Sequence, residues 1–119
     1  MTKNAIYRVL RNEFQRPPPL TRKKRKMREK QIESKLVQAV RKKGGLCMKF
    51  VSPNFDGMPD RLILLPGGKI AFAELKAPGK KPRPLQLARH KTLINLGFRV
   101  YVIDSVERIG EIIDEIQSP

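Results

Sequence analysis

Apolar positions along this chain follow two periods, one near 3.6 residues and one of 2. Ile32, Leu36, Val37 and Val40 recur at helical spacing, and Gly44-Gly45 follows as a stop. Leu46–Ser52 reads as a strand, and Pro53–Pro59 as a loop punctuated by Gly and Pro. Arg61–Leu65 and Lys69–Lys76 are predicted strands joined around Pro66-Gly67-Gly68, a hairpin signal. A basic, proline-rich loop spans Ala77–Arg83. Pro84 suits the first turn of a helix running to Leu96, with Gly97 as its stop. Phe98–Ile103 is an apolar strand. Ser105 is placed to cap a last helix with the stripe Val106, Ile109, Ile112, Ile113 and Ile116. The predicted class is α/β, in the order αβββαβα, with no internal repeat.

The pattern ahead of Met27 is different. Ile6, Val9, Leu10 and Phe14 have rough helical spacing, which allows a short helix over 3–15. Pro17-Pro18-Pro19 interrupts any helix and favours an extended segment, and Arg22–Lys26 is a run of five cations. Residues 1–31 hold 11 Lys and Arg against 2 Glu (Glu13, Glu29), a net +9 of the chain's +15. The expected division is a basic, proline-interrupted N-terminal arm over 1–26 and one globular domain over 27–119.

Charge narrows the choice of partner. With 26 Lys and Arg against 11 Asp and Glu and a pI near 10.6, the field gathers polyanions. Nucleic acid and an anionic membrane surface both answer that description. No stretch approaches the ~18 apolar residues of a membrane span, and the N-terminus shows no signal-peptide apolar run. Nucleic acid is therefore favoured, and no membrane is expected. Cys47 and His90 each stand alone in the sequence. That excludes an intrachain disulfide and a Cys/His zinc site, and it argues against a Ser-His-Asp triad. A reducing, cytoplasmic setting is expected.

The candidate chemistry lies in the hairpin. If Pro66, Gly67 and Gly68 form a three-residue loop, Leu65 pairs with Lys69, and counting outward sets Asp60 opposite Glu74. Strand alternation sends Glu74 and Lys76 to one face with Ile70 and Phe72, and Leu75 to the other with Ala71 and Ala73. Two opposed carboxylates repel unless a cation neutralises them, and an oxygen donor set suits Mg2+ or Mn2+. Lys76 is then placed to orient water or stabilise charge on a phosphorane. The bland alternative is a set of strand-end ion pairs to Arg61, Lys76 or Lys49. Glu33, on the preceding helix, borders the buried stripe and has no cation at i+4, which marks it as a candidate metal or metal-water ligand. Gln86 and His90 lie one turn apart on the following helix. Gln86 is the stronger candidate to face the substrate or the metal's water.

These residues resemble the virus-type replication-repair nuclease (VRR-NUC) domain of the PD-(D/E)XK nucleases, over roughly Met27 to Ile116. The carriers are Glu33 in QIESKLVQAV, then KKGG, then KFVSPNFDGMPDRLILLPGGKIAFAELKAPGKKPRPLQ, and GFRVYVID. Gly57-Met58-Pro59-Asp60 resembles the family's G-x-P-D, Glu74-Leu75-Lys76 its E-x-K, and Gln86 its following glutamine. Related RecB-like nucleases carry Q-x-x-x-Y where this chain has Gln86-x-x-x-His90, which puts a processive exonuclease role in doubt.

The resemblance implies a restriction-endonuclease-like core and Mg2+- or Mn2+-dependent phosphodiester hydrolysis. It implies a catalytic set of Glu33, Asp60, Glu74, Lys76 and Gln86. The metal would be held by Glu33, Asp60, Glu74 and the Leu75 backbone carbonyl. It further implies a homodimer that cuts branched DNA, including Holliday junctions. DNA contacts are expected from Arg22, Lys23, Lys24, Arg25, Lys26, Lys80, Lys81 and Arg83. A non-catalytic nucleic-acid-binding module and a restriction-like, sequence-reading endonuclease are the competing readings.

Overall fold

The computed structural model describes residues 18–119; the helix expected over 3–15 lies outside the described residues. Helix α1 (Arg22–Lys42) is followed by β1 (Leu46–Lys49), β2 (Arg61–Leu65) and β3 (Lys69–Leu75). Then come α2 (Pro84–Asn95), β4 (Arg99–Ile103), a 3-10 turn (Val106–Arg108) and α3 (Ile109–Gln117). No helix among the described residues is long and apolar enough to cross a membrane.

α1 begins earlier than the apolar stripe suggests. Thr21 caps it, its Oγ1 accepting from the Lys24 amide at 3.2 Å. The cation run Arg22–Lys26 therefore forms the first turn of a helix that continues unbroken past residue 27. Cations at a helix N-terminus oppose the macrodipole, and no acidic residue relieves that turn.

The sheet order is β1-β2-β3-β4, antiparallel except for the parallel β3–β4 pair, which α2 connects. One sheet face carries Ile63, Ala71, Ala73, Leu75 and Ile103, packed under Ile32, Leu36 and Val40 of α1 and the four isoleucines of α3. These positions alternate along their strands, as a period of 2 requires. The opposite face holds Met48, Leu62, Phe72 and Val100 in one row, with Leu46, Leu64 and Ile70 beside it. On that face Phe72 meets Phe50 and Phe98 edge to face, with centroids 5.5 and 5.7 Å apart.

Two predicted ends move. β1 stops at Lys49, not Ser52: the Phe50 amide still donates to the Asp60 carbonyl, and beyond it the chain turns into the loop. The last helix opens as a 3-10 turn, and Ser105 makes no side-chain cap.

Candidate active site

The hairpin ladder runs from Leu65 opposite Lys69 to Arg61 opposite Ala73. One step further along the same register, Asp60 meets Glu74 at the sheet's end. Asp60 stands just outside the ladder, and its Oδ2 accepts from the Leu75 amide at 3.0 Å. The carbonyl of Leu75 thus sits between two bonded amides, since the Lys76 N–H donates to Ile103.

Glu74 is fully buried, and neither of its carboxyl oxygens has a donor. Burial first, then Asp60, pushes its pKa up to about 8; Glu29 adds to the rise and Lys76 opposes it. With both groups ionised the pair can only repel. Among the described residues no three His, Cys, Asp or Glu side chains form a ready metal cage. The orphaned oxygens of Glu74 beside Asp60 nonetheless fit a hard cation that keeps most of its water ligands.

The charge of Glu29, on α1, acts on this pair. Its pKa is raised by burial, then by Asp60, with Lys76 lowering it and Glu33 raising it. Glu33, one turn on, is instead ion-paired with Arg61 at 3.1 Å, in a groove with Lys30, Ser34 and Arg41. The cation that Glu33 lacks on its own helix arrives from β2, which local spacing does not reveal.

Gln86 is buried, and its Oε1 accepts from the Arg83 amide at 2.8 Å. It closes the start of α2; Arg83 offers no acceptor in return. His90, one turn later, is the residue that α2 brings to the carboxylates. Its Nε2 lies 4.0 Å from Glu74 Oε1, and burial, then Lys76, holds its pKa below the usual histidine range.

Past the end of β3 opens a cleft of about 360 Å3, lined by Arg22, Arg25, Lys26, Lys80, Lys81 and Arg83 together with Glu29 and Lys76; Asp60 and Glu74 do not line it. Positions 22, 25, 26 and 29 share one helical face. Lys23 and Lys24 point away from this cleft and do not line it.

No family model matches the chain. A solved structure described as a VRR_NUC domain matches with a TM-score of 0.69 and 31% identity, over 73% of this chain and 95% of its own. "Putative nuclease p44" of Acyrthosiphon pisum secondary endosymbiont phage 1 is 57% identical over 81 residues, 68% of this chain and 87% of that protein. This chain belongs to the VRR-NUC nuclease family. In this VRR-NUC domain the G-x-P-D turn has a clear physical basis. Gly57 has φ +88°, and a Cβ there would meet Leu85 Cγ at 2.8 Å. Pro59 is fully buried. Arg89 of α2 clips the loop, its Nε donating to the Asp56 carbonyl at 2.8 Å and its guanidinium lying 3.8 Å above the Phe55 ring. Nothing in the sequence pairs Arg89 with a loop 33 residues away. The clip fixes the approach of the chain to Asp60.

Proposed function

We propose that this nuclease is a divalent-metal-dependent endonuclease that hydrolyses phosphodiester bonds in branched DNA, Holliday junctions among them. The observation that carries the reading is the Asp60–Glu74 pair: a fully buried carboxyl group without donors beside a second carboxylate, two residues before Lys76, which lines a cationic cleft.

Asp60 and Glu74 would hold Mg2+ or Mn2+, with Glu29 alongside, and the Leu75 carbonyl stands at the same strand end. When bound, such a cation supplies Lewis-acid stabilisation of the phosphodiester and makes water more acidic. Lys76 stabilises charge on the phosphorane from the same strand end. Leu75 fixes the Asp60 carboxylate through its amide. Arg22, Arg25, Lys26, Lys80, Lys81 and Arg83 seat the phosphate backbone, which gives affinity without sequence information and suits recognition of shape. DNA lying on the start of α1 also relieves cations that the helix dipole disfavours.

Symmetrical cutting of a junction takes two centres, which a C2 homodimer supplies. The isoleucines of α3 are committed to the core and are not available for that contact. Leu46, Met48 and Ile70, exposed on the open sheet face, are. The single thiol Cys47 suits a reducing, cytoplasmic setting, within the host for a viral protein.

A panel of end-labelled duplex, flap, splayed and four-way DNA, with and without Mg2+, tests the reading. Metal-dependent cutting at branch points is expected. Tight binding without cutting under any divalent cation would leave a binding module in its place.

A further inference from the structure

We infer that His90 is the hydrogen-bond donor that positions Glu74 for metal binding, an assignment that rests on the nuclease reading above. Among the described residues, the buried side-chain atoms without partners are Arg61 Nε, both carboxyl oxygens of Glu74, and His90 Nε2. Buried polar atoms are almost always paired. Three of these four orphans lie together, and two of them face each other across 4.0 Å.

No neighbouring group donates to Glu74. Ionised Asp60 only accepts. The Leu75 amide is taken by Asp60, and the Lys76 amide by the Ile103 carbonyl. The Lys76 side chain makes no ion pair with a described carboxylate. Gln86, one turn earlier on α2, turns its oxygen to the Arg83 amide, and its amide nitrogen makes no hydrogen bond to Glu74. Among the buried side-chain atoms without partners, His90 Nε2 is the donor that faces the carboxyl group.

The gap exceeds a hydrogen bond by roughly 1 Å, which a small side-chain rotation closes. A neutral imidazole carrying its proton on Nε2 donates to Oε1 and leaves Oε2 free. A donor behind a ligating carboxylate fixes its orientation, and removing such a donor typically weakens metal affinity about 10- to 100-fold. Were His90 only filling space, a ring of the same size without the nitrogen would serve equally well.

The test uses the full chain and two variants. His90→Phe keeps the ring and loses the donor; His90→Gln keeps a donor nitrogen at similar reach. Mn2+ binding is measured by calorimetry without DNA, with thermal unfolding to confirm that each variant is folded. His90→Phe is expected to bind Mn2+ about 10- to 100-fold more weakly. The Mn2+ concentration for half-maximal cleavage should rise by the same factor, with kcat at saturating Mn2+ little changed. His90→Gln should recover most of the affinity. A folded His90→Phe that binds Mn2+ like the wild type overturns the assignment, as does a His90→Gln as damaged as His90→Phe. Glu74→Ala separates the role of His90 from the metal site itself. If it too binds Mn2+ like the wild type, the metal reading of the site falls, and the role of His90 falls with it.

Discussion

Replacing Glu74 by Gln should flatten the pH dependence of stability of the metal-free protein. A carboxyl group held at about 8 in the native state, against an ordinary value of 4.5, keeps its proton on folding while the unfolded chain loses it. Between those two values the native state binds more protons than the unfolded state. Stability therefore falls as pH rises, by about 1.4 kcal/mol per pH unit. The fall slackens as pH passes 8, so about 2 kcal/mol disappears between pH 6.5 and 8.5. His90, whose pKa is lowered, costs stability on the acid side; it enters only at the lower edge of that window and does so equally in wild type and variant. Gln has the shape of Glu and no charge to bury, so its own contribution is constant across the window. Urea unfolding in EDTA at the two pH values gives the difference directly. For a chain of this size, about 2 kcal/mol also appears as roughly 8 °C in Tm. Equal slopes for wild type and Glu74→Gln would show that Glu74 is solvated and ordinary, and would remove the main physical ground for a cation there.

Four further outcomes rest on the same geometry. Asp60→Ala should abolish cleavage while DNA binding, measured by fluorescence anisotropy, persists; full activity would refute its assignment. Lys76→Ala should lose most turnover and keep Mn2+ affinity by calorimetry, because the side chain stands beside the carboxylates and is not a ligand. Glu29→Gln should reduce cleavage more than Glu33→Gln, whose loss of the partly exposed Arg61 ion pair should cost no more than about 1 kcal/mol in unfolding experiments. Replacing Arg22, Arg25 and Lys26 by Gln should lower the slope of log affinity against log salt by up to about 0.9 for each phosphate no longer neutralised, whereas Lys23→Gln with Lys24→Gln should lower it less.

What the sequence determined was whatever depends on short-range rules. A three-residue turn sets the hairpin register, and strand alternation then places Glu74 with Phe72 and Leu75 with the core. Both follow from a period of 2 and a loop length, so both could be counted along the chain. The stripe of α3 was legible from its helical period, although the elements it packs against were not. Only the tertiary structure showed what Glu33 meets. Glu29 and Glu33 share one helical face, but the ion-pair partner of Glu33, Arg61, lies 28 residues away along the chain. The roles of Gln86 and His90 separated in the same way. Both lie on the buried side of α2, but Gln86 sits where the helix must be closed and His90 where β3 presents an unpaired carboxyl group. Spacing along a chain reports which side chains share a face. Which charge or donor that face meets depends on how the elements pack, and a buried carboxyl group takes its chemistry from those neighbours.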